Sequence, residues 1–353
     1  MMRPRTSPYT HDQLRPILDA RSIAIVGASE NPASFGARTL ANLSRFAGRI
    51  HLVNPKGVPI GGRPCYPDVA SLPETPDVVM MTIPREHVEA AILQCAERGV
   101  RGVVIGASGF AETGRSERVA LQARIAAIGR EAGMRVVGPN CLGVVNFATG
   151  QAMTFATVPT TRPRGRAVGI ISQSGALGCG LAQSAERGTS ISHMLTSGNS
   201  CDVDVADYVR YLAEDPGCDA IACLFEGMEA PERLIEAAQY ALSVDKPVVI
   251  HKLATGEQGA AAAMSHTGSL AGSDAAYQAA FEAAGMVVVD HYEALIETAA
   301  FFAKAPSPKA EGVVVVATSG GAAIMAADAA DRHDVRLPQP SASTRAILEA
   351  HIP

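Results

Sequence analysis

His266 stands alone among glycine, alanine and hydroxyl side chains in GEQGAAAAMSHTGSLAGSDAAYQAAFEAAG (256–285). The residues before it offer almost no side chain to fix a core position. Those after it start a helix: Thr267, Ser269 and Ser273 can cap, and Asp274 suits the first turn. An imidazole in that setting suits a nucleophile that titrates near neutral pH and moves between sites; a surface or hydrogen-bonded core histidine is the plainer reading. Glu226 closes the strand pattern IACLFE and is followed by Gly227. A carboxylate at the carboxyl end of a buried strand needs a partner. An imidazole is a natural one, because a carboxylate on one ring nitrogen fixes the tautomer and leaves the other free to attack. A rim glutamate near Arg233 is the alternative. Ser172, Ser174 and Gly175 lie in SQSG, after the run AVGII and before ALGCGLAQSAERG. Hydroxyls and free N–H groups at a helix start make an anion site, or simply a serine N-cap.

A second group of residues suits an extended, phosphorylated ligand. GASENPASFG (27–36), with Gly27 and Ser29, places backbone N–H groups at a helix N-terminus after a strand, where α/β folds hold phosphate. It is not G-x-G-x-x-G. The second strand ends Asn54-Pro55-Lys56, where a dinucleotide-binding domain would carry an acidic residue for the ribose hydroxyls. Lys56 can pair with a phosphate there, which favours a ligand phosphorylated on its ribose, such as coenzyme A, over NAD. A solvated lysine beside a turn reads equally well. Thr82-Ile83-Pro84 and Gly106-Ala107-Ser108 lie at the ends of later strands, with small neutral side chains suited to a pantetheine arm or to plain strand ends.

Positioning these residues takes alternating strands and helices. Short β-branched runs at 22–29, 49–55, 77–84, 102–108 and 134–140 alternate with helix-like stretches. The clearest is EHVEAAILQCAERG (86–99), with apolar spacing of three and four and a terminal Gly99. A second series runs over 167–178, 193–199, 220–227, 246–254 and 286–290, after the link VPTTRPRGR (158–166), and a further strand–turn–helix unit opens at GVVVVATSGG (312–321). The pattern predicts an α/β fold with domains over 1–155 and 156–305 and the first unit of a third over 306–353. One strand and one helix cannot bury a core alone, and the pattern leaves open whether the chain is a fragment of a longer polypeptide.

Composition narrows the classes. The chain of 353 residues is 47% hydrophobic and 18% charged, with net charge −5, and offers no basic face for nucleic acid. Its 7 cysteines form no C-x-x-C pair and no zinc spacing, so they read as reduced thiols of a cytoplasmic protein, with no metal site. Residues 1–20 hold no apolar h-region, and the longest apolar stretch is broken by Ser319-Gly320-Gly321, so neither a signal peptide nor a membrane span is expected.

Taken together, the motifs resemble the NDP-forming acyl-CoA synthetases, the superfamily of succinyl-CoA synthetase and ADP-forming acetate–CoA ligase. The resemblance runs from RSIAIVGAS to VVVVATSGG. It rests on GAS (27–29), GPNCLG (138–143), SQSGALG (172–178), SGNSCDVDVAD (197–207), EG (226–227) and SHTGSLAG (265–272). It implies a Rossmann-like CoA-binding domain, a flavodoxin-like succinyl-CoA-ligase-type domain carrying the histidine loop, and the start of a third α/β domain. The implied reaction is acid + CoA + ATP = acyl-CoA + ADP + phosphate, through an acyl phosphate and a phosphohistidine.

By the same resemblance, His266 matches the phosphorylated histidine, Glu226 the glutamate that orients it, and Ser172, Ser174 and Gly175 the helix start that receives the phosphohistidine. Gly27, Ser29, Lys56, Ile83, Pro84, Ala107 and Ser108 match the CoA site, and Asn140 with Cys141 the turn beside the thioester end. Asp202 and Asp204 fall in the GNxxDVD stretch, with no role implied. Cys201 stands where alanine is usual, and GEQGAAAAM (256–264) lacks the basic residues often found there. ATP/ADP and Mg2+ belong on an ATP-grasp domain whose signature is not visible here, expected on a separate subunit or in further sequence. A small carboxylic acid is the other substrate, and an oligomer is expected. The rival reading is a non-catalytic CoA-binding or regulatory module lacking its ATP-grasp partner. An NAD(P)-linked dehydrogenase is disfavoured by the missing acidic residue after the second strand.

Overall fold

Strands β1 (Ser22–Val26), β2 (Arg49–Val53), β3 (Cys65–Tyr66), β4 (Val78–Met81), β5 (Gly102–Ile105) and β6 (Arg135–Val137) form one sheet of a computed structural model, which describes residues 5–259, 274–305 and 311–351. All pairs are parallel, in the order β3-β2-β1-β4-β5-β6. β1, β4 and β5 are buried along their whole length, which is why they read as continuous apolar runs rather than alternating ones. The strand order reverses between β1 and β4, the switch point at which doubly wound folds bind ligands. β3 has no counterpart in the sequence reading because two residues cannot show a period. Helix α1 (His11–Leu18) packs Ile17 into the space left by Gly102, where a Cβ would sit 2.2 Å from Ile17 Cγ1. Helices α2 (Phe35–Asn42), α3 (Val88–Arg98) and α4 (Ser116–Glu131) follow β1, β4 and β5. In α3 the buried residues are Val88, Ala91, Ile92 and Cys95, and Gly99 ends the helix at φ +76°.

The second sheet contains β7 (Gly143–Asn146), β8 (Gln151–Thr154), β9 (Val168–Ser172), β10 (Ile191–Thr196), β11 (Ala220–Phe225), β12 (Val248–Lys252) and β13 (Val287–Val288), in the order β13-β12-β11-β9-β10-β7-β8. β9 to β13 are parallel, with the flavodoxin-like arrangement of a first strand flanked by the second and third. β7 and β8 make an antiparallel hairpin on β10. The sequence pattern carries the first domain to residue 155, twelve residues past the start of β7. Hydrogen bonding instead passes to the second sheet at β7, where Val144, Val145 and Asn146 register with Leu195, Met194 and His193. The reason is burial: every residue of β7 and β8 is buried, and the open edge of β10 gives their backbone groups partners. Helices α5 (Gly175–Ala182), α6 (Val205–Glu214) and α7 (Glu232–Ser243) and the helix Tyr292–Lys304 cover this sheet. α6 buries Tyr208, Val209, Tyr211 and Leu212 completely, each contributing roughly 1.5–3 kcal/mol of apolar burial.

The acidic run of GNxxDVD stitches the two sheets. Val203 pairs with Val137 as a parallel bridge, and its N–H donates to the Val136 carbonyl at 3.0 Å. Asp202 accepts from the Val136 N–H (3.1 Å), Arg130 Nε (3.1 Å) and the Tyr9 hydroxyl (2.8 Å). Asp204 caps α6 through Ala206 N–H (3.0 Å) and pairs with Arg233. Asp207 pairs with Arg5 at 2.6 Å. Burial and neighbouring Asp207 push the Asp204 carboxyl up to about 7, against the pull of Arg233 and Arg5.

These elements belong to one compact unit ending at Lys304, and a second unit begins at Ala305. In the second, residues 313–317 are not the strand their β-branched run predicts. A strand needs a ladder, and among the described residues the backbone bond of this run is that from Val313 N–H to the Arg336 carbonyl (2.9 Å). Helices Gly320–Arg332 and Ala342–His351 follow, and Val314 and Val316 are 71% and 79% exposed. Among the described residues no helix is long and apolar enough to cross a membrane.

Candidate functional site

The turn after β1 is held open by glycine. Gly27 has φ +97°, and its N–H and that of Ala28 both donate to the Val53 carbonyl (2.9 and 3.1 Å). A Cβ on Gly27 would lie 2.8 Å from Thr82 Oγ1 and 3.0 Å from Ile83 Cγ2. One on Gly36 would lie 2.0 Å from the Gly27 carbonyl oxygen. The start of α2 therefore sits directly on the turn, with its N–H groups aimed at the switch point. Ser29 Oγ accepts from Asn31 N–H (3.1 Å), and Ser34 Oγ caps α2 through Ala37 N–H (3.2 Å). Asn54 Nδ2 donates to the Ala28 carbonyl (2.8 Å) and its Oδ1 accepts Lys56 N–H (3.1 Å), which fixes the backbone from which the exposed Lys56 side chain extends. Gly27 and Ile83 are thus neighbours at the switch point. Pro84 is exposed beside them, and Lys56 lies one turn away at the end of β2.

Ala107 and Asn140 meet across the ends of β5 and β6: Asn140 N–H donates to the Ala107 carbonyl at 2.8 Å, and Ser108 is exposed next to them. Asn140 adopts φ 56° after the cis Gly138–Pro139 bond. Its Nδ2 donates to Asn199 Oδ1 at 3.3 Å. Cys141 faces inward. Its thiol lies 3.0 Å from the Thr196 carbonyl and accepts Gly143 N–H at 3.2 Å, and burial pushes its pKa up to about 11. That thiol is a structural peg between β7 and β10, not a nucleophile.

The same turn touches the second cluster. Leu142 occupies the space over Gly175, where a Cβ would lie 2.5 Å from Leu142 Cγ. Ser172 is fully buried and spends its hydroxyl proton on the Ser174 carbonyl (2.6 Å). Ser174 Oγ caps α5 toward Leu177 N–H (3.5 Å), and the N–H groups of Gly175 and Ala176 are left at the helix start without intrahelical acceptors. Gln173 between the two serines carries the connection to Glu226. Its Oε1 accepts the N–H groups of Glu226 (2.6 Å) and Gly227 (3.2 Å), and its Nε2 donates to the Gly227 carbonyl (2.7 Å). Glu226 is 5% exposed. The strands bearing these two turns, β9 and β11, are adjacent and parallel in the middle of the sheet, so Ser174, Gly175 and Glu226 all follow its carboxyl end. His266 lies outside the described residues.

The sequence motifs assign no role to Gln173, Thr196, Asn199 or Glu112. Gln173 and Asn199 lie inside quoted motifs, and a polar amide within a glycine–serine turn is the signal that could have marked them. Glu112 and Thr196 carry no such signal.

Residues 21–146 match a family model described as a CoA binding domain, and residues 164–302 match the succinyl-CoA ligase like flavodoxin domain. The chain is 35% identical over 335 residues to the acetate–CoA ligase [ADP-forming] II subunit alpha of Pyrococcus furiosus, covering 94% of this chain and 72% of that one. It is 35% identical over 316 residues to acetate–CoA ligase [ADP-forming] I of Archaeoglobus fulgidus, covering 89% of this chain but 45% of the relative. A solved structure, the dinucleotide forming acetyl-coenzyme A synthetase 1 of Ca. Korarchaeum cryptofilum in complex with phosphate and ADP, superposes with a TM-score of 0.89 at 32% identity, covering 98% of this chain and 74% of that one.

Proposed function

The chain belongs to the NDP-forming acyl-CoA synthetase superfamily, and from that premise we propose that it is the CoA-binding, alpha-type part of an ADP-forming acid–CoA ligase. The observation that carries this reading is the contact of Leu142 with Gly175. It supports the reading because Leu142 follows the Asn140 turn and Gly175 opens α5, so that on this proposal a thioester and a phosphate meet at one point.

The ligand is coenzyme A, with its phosphates over the Gly27–Ser29 turn and Lys56, and its arm passing Ile83, Pro84, Ala107 and Ser108 toward Asn140. In the direction of ATP synthesis, a phosphate oxygen attacks the acyl carbon, the C–S bond breaks, and the thiolate takes a proton to leave as CoA. An imidazole nitrogen of His266 then attacks the phosphorus of the acyl phosphate, and the P–O bond to the acyl group breaks to release the carboxylate. The N–H groups of Gly175 and Ala176, with Ser174, hold the phosphoryl oxygens where negative charge concentrates. Glu226 orients the imidazole and stabilises its positive charge. ADP takes the phosphoryl group on an ATP-grasp partner, fused or separate, which holds the nucleotide and Mg2+. The substrate is a small carboxylic acid, and the working assembly is an oligomer in the cytoplasm.

The test is incubation of the chain with acetyl-CoA and labelled phosphate. Acid-labile label on wild type and none on His266→Ala supports the relay. Label that persists on His266→Ala rejects it, and CoA binding without label on wild type returns the binding-module reading.

A further inference from the structure

A chain of hydrogen bonds with forced polarity ends at Asn140. It begins at three backbone N–H groups of the 109–111 turn after β5. Gly109 and Phe110 donate to the two carboxylate oxygens of Glu112, and Ala111 donates to Gln122 Oε1 on α4 at 3.3 Å. Those donors leave Glu112 and Gln122 presenting acceptors to their next neighbour, Asn199 of the second domain. Asn199 must therefore turn its Nδ2 to them, and does so at 2.6 Å to Glu112 Oε2 and 2.9 Å to Gln122 Oε1. An amide that spends its nitrogen on one side shows its oxygen on the other. Asn199 Oδ1 faces Asn140 and accepts from Asn140 Nδ2 at 3.3 Å. The same logic repeats once more: with Nδ2 engaged, the Oδ1 of Asn140 accepts no hydrogen bond among the described residues.

The backbone holds both amides in register. Asn199 N–H donates to the Pro139 carbonyl at 2.9 Å, and Gly198 closes on the turn so tightly that a Cβ would lie 2.4 Å from that same oxygen.

We propose that Glu112 and Asn199 are positioning residues that fix Asn140 as an acceptor, and that its Oδ1 receives the amide N–H of CoA nearest the thiol. This inference rests on the CoA-ligase reading. The second domain thereby dictates how the first holds the reactive end of its ligand. An N–H donor is retained in both CoA and acyl-CoA, whereas the thiol proton is not, so the two ligands respond alike.

The experiment is calorimetric titration of the chain and its variants with CoA, acetyl-CoA and adenosine 3′,5′-bisphosphate, which lacks the pantetheine arm. Asn199→Ala and Glu112→Gln are expected to weaken CoA and acetyl-CoA equally, by about tenfold, the worth of one hydrogen bond, with the bisphosphate unaffected. Asn199→Asp sets a second carboxylate beside Glu112 and is expected to weaken both by more. Loss confined to CoA, loss shared by the bisphosphate, or no loss overturns the inference. Wild type that binds neither CoA nor the bisphosphate instead overturns the ligase reading on which it stands.

Discussion

Gln173 grips the Glu226–Gly227 corner by both its faces, taking two N–H groups at 2.6 and 3.2 Å and giving one N–H to the Gly227 carbonyl at 2.7 Å. A single side chain thus ties the turn after β9 to the turn after β11. Gln173→Leu keeps the approximate volume and removes every one of those bonds within a buried site. The unsatisfied backbone groups are expected to cost on the order of 3 kcal/mol, read as a lower urea midpoint with an unchanged m-value. Phosphohistidine formation should fall further than CoA affinity, because Glu226 loses its anchor while the first sheet keeps its own.

His193 on β10 is buried, and neither ring nitrogen has a hydrogen-bond partner among the described residues. Desolvation holds its pKa down at about 4, with His11 lowering it further and Asp215 opposing. The unfolded chain therefore binds more protons than the folded one between pH 4 and the ordinary histidine value of about 6.5. Stability from this group is fully present above that window and falls as pH drops through it, by about 3 kcal/mol in all. Urea midpoints measured from pH 7 to pH 4 should drop less in His193→Leu than in wild type. The comparison separates the imidazole from Asp204, whose raised pKa contributes with the opposite sign, its stabilisation being lost as pH rises through about 7.

Gly36→Ala tests the seat of α2. Its Cβ would meet the Gly27 carbonyl oxygen at 2.0 Å, and both partners are backbone, so α2 must shift rather than a side chain rotate. The expected cost is about 2 kcal/mol of stability. CoA binding, measured by calorimetry on the folded fraction, should weaken at least tenfold as the helix N-terminus leaves the switch point.

Cys141 should behave as an inert thiol. Buried and pushed up to about 11, it is expected to stay unmodified when the native chain is treated with iodoacetamide at pH 7, and to react once urea unfolds it. Cys141→Ser can donate to the Thr196 carbonyl in the same way and should retain CoA binding. Native-state alkylation of Cys141 read by peptide mass spectrometry would contradict the assignment.

Much of this arrangement is visible in the sequence where local chemistry decides it. β1, β4, β5, β9 and β11 read directly from β-branched runs, because strands buried on both faces have no other composition. The Gly27 turn and the Ser174 cap announce themselves through residue types that few other conformations reward. What stays hidden is decided by distant partners. The β7–β8 hairpin is two four-residue strands whose sheet membership is a tertiary matter. Asp202, Asp204 and Asp207 look like a solvated acidic run until Arg130, Arg233 and Arg5 arrive from elsewhere in the chain. The 313–317 run shows the reverse: β propensity without a ladder partner among the described residues makes no strand there.

The hairpin at 143–154 precedes the rest of its sheet in the chain yet completes it, while Val203, from the second series, extends the edge of the first sheet at β6. Each half therefore lends the other a piece. The boundary that sequence families draw between the two domains is not a seam along which the molecule can be cut. Either half expressed alone would expose a raw strand edge, a template for self-association. Recombination between relatives should succeed only when residues 138–207 travel as one block, so the unit of inheritance here is larger than the unit of fold.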